Sequence, residues 1–298
     1  MSGIAERVGG LLNTLPFDAQ PVSGGEICEA YRVRLGHGVD NEGGPFHTCF
    51  AKTMDGAPAD FFAAEAAGLE VLRSTGAVAV PGVLAVEADV LVLEWVDTTE
   101  PSDAAAERLG RDLAALHSTP APHYGTTGPL YLGPVPLTTP DPPVADPAGW
   151  PAFHAEHRLL PLLRMAVDGG GIDPRDARDV ELLCERIDEV AGEPQPPAVI
   201  HGDLWPGNIL WTGDRPHLVD PAAQGGHPEA DLAFLELSGC PRWDRVIGAY
   251  EEVRPVPGRR ERAPLHALHH VLIHAALFGG PYGAESGTTA RRALRSAR

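Results

Sequence analysis

The chain has 298 residues, 43% of them hydrophobic, enough for one large domain or two lobes around a packed core. Lysine and arginine total 23 against 41 aspartate and glutamate, a formal charge of −18 that argues against nucleic acid or an anionic membrane as partner. The four cysteines form no Cys-x-x-Cys pair, and no apolar run reaches bilayer length, which excludes a thiolate zinc motif, a disulfide scaffold and a membrane span. The opening residues lack a basic segment followed by an apolar one, so the expectation is a soluble cytoplasmic protein, monomer or homodimer.

In chain order, Glu29–Leu35 alternates as a half-buried strand does, and residues 45–53 (PFHTCFAKT) read as a second strand. A helix is expected from Asp60 to Ser74, with Asp60 as its N-cap and Gly76 as its stop. Phe62, Ala66, Leu69 and Leu72 make one apolar stripe along it. Val90–Val96 is a continuous apolar run and reads as a buried strand. Ser102–His117 reads as a helix with Leu109, Leu113 and Leu116 inward. The ten prolines between Pro120 and Pro151 forbid any long regular element and imply a functional loop. Helical patterns resume at Phe153–Val167, Asp176–Val190 and Pro264–Phe278, with a short β-like stretch from Ala198 to Pro221. The Arg-rich end reads as a frayed tail. A strand-rich segment 1–96 is thus followed by a helix-rich segment 97–298.

The densest chemistry lies in VIHGDLWPGNILWTGDRPHLVDP, residues 199–221. Asp203 and Asn208 sit five apart in one loop, and Asp220 ends the strand that follows. Phosphoryl transfer needs a carboxylate to accept the proton of the attacking hydroxyl and oxygen ligands for Mg²⁺ on the phosphates. The H-x-D-x-x-x-x-N pattern with a strand-terminal Asp is the kinase arrangement. The bland alternative, that Asp203 and Asn208 only cap a hairpin turn, explains neither the order nor the third acceptor.

The N-terminal half supplies matching partners. Lys52 stands among apolar neighbours in the second strand, and Glu65 borders the apolar stripe of the next helix. A carboxylate beside a buried stripe needs a counter-charge, and a Lys–Glu pair holding the nucleotide phosphates is the expectation. Gly24 and Gly25 are candidates for a turn over the phosphates, and Glu94 to Val96 for the linker whose backbone meets adenine. Trp205 reads equally as core or as a face for substrate. His266, His270 and His274 recur every four residues beside His269. With no Cys or carboxylate in the set they read as a polar helix face rather than a metal site. His117 suits a helix C-terminus.

SGGEICEAYRV, FAK, FFAAEAAGLEVL, LVLEWV, LGRDLAALH, HGDLWPGNIL, VDPAAQGGHPEADLAFLELSG and LHALHHVLIHAALFGGPYG run in an order that resembles the fructosamine kinase (ketosamine-3-kinase) family, from Ser23 to Gly283. The resemblance implies an α+β, two-lobed protein-kinase-like fold, with an antiparallel N-lobe sheet carrying one main helix and a larger helical C-lobe. It implies ATP and Mg²⁺ as cofactors and a ketosamine, free or on a protein lysine, as phosphate acceptor. It also implies that Asp231 ties its helix to the catalytic loop. The chain departs from relatives at Glu26, where several carry Cys, and at Tyr131–Thr138 and Leu237–Cys240, which bear on the acceptor. A kinase of another small hydroxylated molecule, such as an aminoglycoside or amino alcohol, and a nucleotide-binding pseudokinase are the alternatives.

Overall fold

The computed structural model describes residues 3–22, 27–36 and 47–296. Helix α1 (Gly3–Leu12) precedes a five-stranded antiparallel sheet of β1 (Leu15–Pro21), β2 (Glu29–Gly36), β3 (His47–Thr53), β4 (Val83–Glu87) and β5 (Val90–Glu94). The strand order is β1-β2-β3-β5-β4, with α2 (Phe61–Ser74) inserted in sequence after β3. Alternation along β3 and β5 assigns the two faces. Cys49, Ala51, Val90 and Val92 pack with Ala5 and Val8 of α1. Leu91 and Leu93 pack with Phe61, Phe62 and Leu69 of α2. The unbroken apolar run of β5 thus reflects a strand covered on both sides.

Helix α3 (Asp103–Leu116) starts at Ser102, whose Oγ accepts from the Ala105 N–H at 3.1 Å. The proline-rich segment after it folds back through a small hairpin, β6 (Tyr131–Leu132) with β7 (Val135–Pro136). It is anchored by the buried Tyr124, whose hydroxyl donates to the Gln195 carbonyl. Helix α4 (Trp150–His154), one π turn (Ala155–Leu159) and α5 (Leu160–Asp168) run on without a break, followed by α6 (Pro174–Glu185). Next come β8 (Ala198–Ile200), the hairpin β9 (Ile209–Leu210) and β10 (His217–Leu218), and β11 (Gln224–Gly226), which pairs back onto β8. Helices α7 (Glu229–Leu237), α8 (Trp243–Val253), α9 (Arg259–Phe278) and α10 (Pro281–Arg295) complete the chain. The hairpin meets the N-terminal part where the Leu218 N–H donates to the Ala79 carbonyl at 2.8 Å. No helix among the described residues is long and apolar enough to cross a membrane.

Four expectations are corrected. Asp60 holds the N-cap position of α2 but makes no side-chain capping bond; its carboxylate instead accepts from the Tyr131 hydroxyl at 2.6 Å, tying α2 to the β6–β7 hairpin. The Arg-rich end is the helix α10, clasped to α6 by Arg291, which contacts Asp176 at 2.9 Å and also Asp179. Helix α9 begins at Arg259 rather than Pro264 and takes the proline into its second turn. Its histidines are no polar face: His266, His269 and His270 are buried, because α9 lies between α7, α5 and α10 in the middle of the helical part. Elements α1, β1, β4, α8 and α10 escaped the reading. α1 carries three glycines, and β1 is an edge strand that contains Pro16 and Pro21, so neither shows a clean period.

Burial keeps these histidines neutral. It pushes His154 and His270 down to about 3 and holds His266 and His269 well below the ordinary value. The unfolded chain binds protons near pH 6.5 that the folded chain refuses, so stability falls as pH drops below that value and continues to fall toward 3. Each such histidine contributes up to about 1.4 kcal/mol per pH unit. Acid titration followed by circular dichroism should show cooperative unfolding between about pH 6 and 4. Full retention of tertiary signal at pH 4 contradicts this account.

Candidate active site

The loop 201–208 leaves β8 and is shaped from behind. Asp231 of α7 is fully buried, and its two oxygens accept from the His201 N–H at 2.8 Å and the Gly202 N–H at 2.9 Å. His117, at the end of α3, lies 3.0 Å from Asp231 through Nε2 and 3.0 Å from the Tyr250 hydroxyl of α8 through Nδ1. Burial raises the Asp231 carboxyl, but the bond to His117 and the charge around it outweigh that and hold it below its ordinary value. It stays ionised. Gly202 has φ +83°, and a Cβ there would strike the Ala222 carbonyl. His201 Nε2 donates to the Val219 carbonyl at 2.9 Å, which fixes its tautomer and leaves Nδ1 to accept from the Asp203 N–H at 3.3 Å. His201 therefore braces the loop.

In front of this loop stands Lys52. Its Nζ lies 2.7 Å from Glu65 Oε2 on α2 and 2.9 Å from Asp220 Oδ1 just after β10. Burial alone would lower the lysine; Asp220 and Glu65 together outweigh it and raise it, so the ammonium is permanent. Burial pushes Glu65 up. Asp220 is held below its ordinary value because Lys52 overrides the effect of burial. Asp220 also has φ +53°, a left-handed conformation uncommon outside glycine that recurs at functional sites.

Asp203 faces the same space, half-buried. Burial, reinforced by the charges of Asp220 and Asp231, pushes its carboxyl up to about 7. Asn208 donates through Nδ2 to the Asp203 carbonyl at 2.8 Å, which leaves its Oδ1 as an acceptor. Asp220 and Asn208 thus offer two hard oxygen donors beside one another in the cleft, the donor chemistry Mg²⁺ takes.

The cleft holds about 980 Å³ and is lined by Lys52, Glu65, Val96, Asp203, Asn208 and Asp220 among others. Glu94 lines it too, but its N–H donates to the Gly82 carbonyl and its carboxylate accepts from the Gly82 N–H, both at 2.8 Å. Val96 has no hydrogen-bond partner among the described residues. Gly24 and Gly25 lie outside the described residues. Trp205 is 41% exposed at the cleft mouth, and a Cβ at Gly207 would run into its ring, so Gly207 gives the indole its seat. Sequence reasoning missed His270 of α9. It stacks on Phe234 with centroids 3.7 Å apart, donates through Nε2 to the Gly202 carbonyl at 3.1 Å, and stands 3.6 Å from Asp203 Oδ1. No local motif announces it, because its partners are 36 to 68 residues away.

A family model described as fructosamine kinase matches residues 12–296. The chain is 34% identical over 294 residues to a protein of Synechocystis described as a probable ketoamine kinase, covering 94% of this chain and 92% of that one. A crystal structure from Thermobifida fusca, provisionally described as a fructosamine-3-kinase, shares 43% identity at TM-score 0.87 and covers 99% of each chain. The streptomycin–ATP–APH(2″)-IIa ternary complex superposes at TM-score 0.60 with 12% identity, a likeness of fold alone.

Asp231→Ala should strand two buried N–H groups and His117 at once. The expected loss is about 3–5 kcal/mol in urea unfolding, the size of a broken buried ionic network. A loss below about 1 kcal/mol would show that the loop does not depend on it.

Proposed function

The chain belongs to the fructosamine kinase family, an ATP-dependent phosphotransferase acting on a sugar hydroxyl, and from that premise we propose that its acceptor is a ketosamine, a fructosamine or ribulosamine adduct of an amine or protein lysine. The observation that supports the transfer chemistry in this reading is the convergence of Lys52, Glu65 and Asp220 within 2.9 Å, opposite a half-buried Asp203 whose carboxyl is pushed up to about 7. Lys52 binds the phosphates, oriented by Glu65. Segment 1–96 holds the nucleotide, with Val96 and Glu94 at the adenine. Segment 97–298 carries the catalytic loop and the acceptor pocket. Asn208 and Asp220 would hold Mg²⁺, which when bound neutralises charge on the phosphates.

Asp203 accepts the proton of the acceptor hydroxyl, and a carboxyl near 7 is half-deprotonated at neutral pH and a stronger base than an ordinary aspartate. Its neighbours keep it in place: His270 closes one side, and the Asn208 amide grips its carbonyl. Trp205 offers a flat apolar face for the C–H side of a sugar. The chain's formal charge of −18 favours an acceptor that carries an ammonium, as a ketosamine does. Phosphorylation of such adducts serves deglycation repair in the cytoplasm.

Asp203→Asn should preserve ATP binding and lower kcat by about 10²–10⁴. In the parent enzyme kcat/KM should rise with pH up to about 7, since only the deprotonated carboxylate accepts the proton, and the variant should lose that limb. Wild-type turnover in the variant removes Asp203 from the role.

Fructose-lysine and ribulose-lysine should be phosphorylated, and free fructose far less. Trp205→Ala should raise KM for the ketosamine while leaving KM for ATP nearly unchanged. ATP consumption with an aminoglycoside or choline but with no ketosamine would reassign the acceptor and leave the phosphotransferase chemistry standing.

A further inference from the structure

Phosphoryl transfer makes no use of a group of histidines in the helical interior. His154 ends α4, His227 lies two residues before α7, and His266 and His269 stand on α9; all four are buried. Among the described residues, both ring nitrogens of His266, Nε2 of His154 and Nδ1 of His269 have no hydrogen-bond partner. Buried polar atoms are almost always satisfied, so four orphans in one place require an explanation. The π turn Ala155–Leu159 follows His154 directly, and such wide turns concentrate at functional sites.

Glu229, two residues after His227, supplies a carboxylate. One ligand-type atom each from His227, Glu229 and His266 lies within 4.8 Å of the other two. Glu229 Oε2 is 3.8 Å from His266 Nε2, and the His227 and His266 rings are 4.3 Å apart between centroids. Trp150 covers them, its ring 4.8 Å from His227 and 4.9 Å from His266.

We propose that His227, Glu229 and His266 form a site for a divalent transition metal of the zinc class, separate from the nucleotide cleft. Two imidazoles and a carboxylate are a ligand set zinc adopts, whereas Mg²⁺ and Ca²⁺ prefer oxygen alone. Zinc bonds of about 2.0–2.2 Å place tetrahedral ligands about 3.4 Å apart, so the present separations need to close by at most about 1.4 Å. The Glu229 N–H contact to His227 Nδ1 is long, at 3.3 Å, and yields easily.

Arg262 is the competitor. It sits one helical turn before His266, donates to Glu229 Oε1 through Nη2 at 2.7 Å, and shares Nε between both oxygens at 3.1 Å. Oε2, the oxygen toward His266, therefore has only the weaker contact. The Arg262 side chain is 20% exposed, so its head can turn to solvent when a doubly charged ion takes its place. The metal would clasp the start of α7 to α9, two residues before Asp231, and so stiffen the support of the catalytic loop.

The intact protein, incubated with Co²⁺ without nucleotide and desalted, should retain one equivalent, show ligand-field absorption, and lose Trp150 fluorescence. Trp150→Phe should keep the cobalt and lose that quench. Zn²⁺ should displace cobalt and raise the unfolding midpoint. His266→Leu should weaken binding by more than the roughly 10–100-fold that losing an outer-shell partner costs. Arg262→Gln keeps all three ligands, removes the competing cation and should tighten binding. Failure of both wild type and Arg262→Gln to retain cobalt overturns the site, as does equal retention by wild type and Glu229→Gln. The Arg262→Gln result decides the matter even if His266→Leu does not fold.

Discussion

The structure turns on one buried ammonium. Lys52 comes from the middle of the sheet, Glu65 from the helix beside it, and Asp220 from the segment after a distant hairpin, 168 residues from the lysine. A buried cation with no partner is prohibitively costly, and removing one partner of a buried pair typically costs about 3–5 kcal/mol. The sheet, α2 and the β9–β10 hairpin are therefore obliged to meet at one point. The same ammonium keeps Asp220 ionised and leaves Asp203, further from it, with a carboxyl near 7. One charge thus holds the two aspartates apart in acidity, Asp220 below its ordinary value and Asp203 above it.

Support of the reactive loop comes from the opposite side and by different means. Asp231 is a charge buried among donors: two backbone N–H groups of the loop and a histidine held in turn by a tyrosine. Each bond is short and charge-assisted, and none reaches the cleft. His270 links this support to the site, since it touches the Gly202 carbonyl and stands beside the Asp203 carboxylate while resting on Phe234. The loop's backbone is held from α7 and α9 at once, and α3 holds Asp231 in turn through His117. Such positioning is what transfer chemistry with little covalent participation demands.

The helical interior is unusually polar for a core. Its histidines stack with Trp150 and with one another, and several ring nitrogens find no partner. A heptad-like reading of α9 sees His266, His270 and His274 on one face and assigns that face to water, since histidine is amphipathic. Packing of α9 between three other helices reverses the assignment. The same packing brings Glu229 to His266 across 37 residues, which no spacing rule anticipates.

Much of the candidate site was legible in order along the chain. Asp203, Asn208 and Asp220 lie within 18 residues, where a loop and a hairpin must bring them near one another whatever the rest of the fold does. Lys52 and Glu65 flank one strand-to-helix connection, and the apolar stripe around Glu65 demanded a counter-charge. Short-range constraint of this kind survives without tertiary knowledge, as does the strand alternation that shaped the central sheet. The edge strand β1 and the helices α8 and α10 were not legible, because their stability comes from docking rather than from period or cap. The contacts of His117, His270, Glu229 and Asp60 likewise lie 33 to 133 residues away in sequence. Local sequence fixes which groups can react; only the folded chain decides which buried charges meet, because burial and distance set the energy of a charge and neither is a property of its neighbours in sequence.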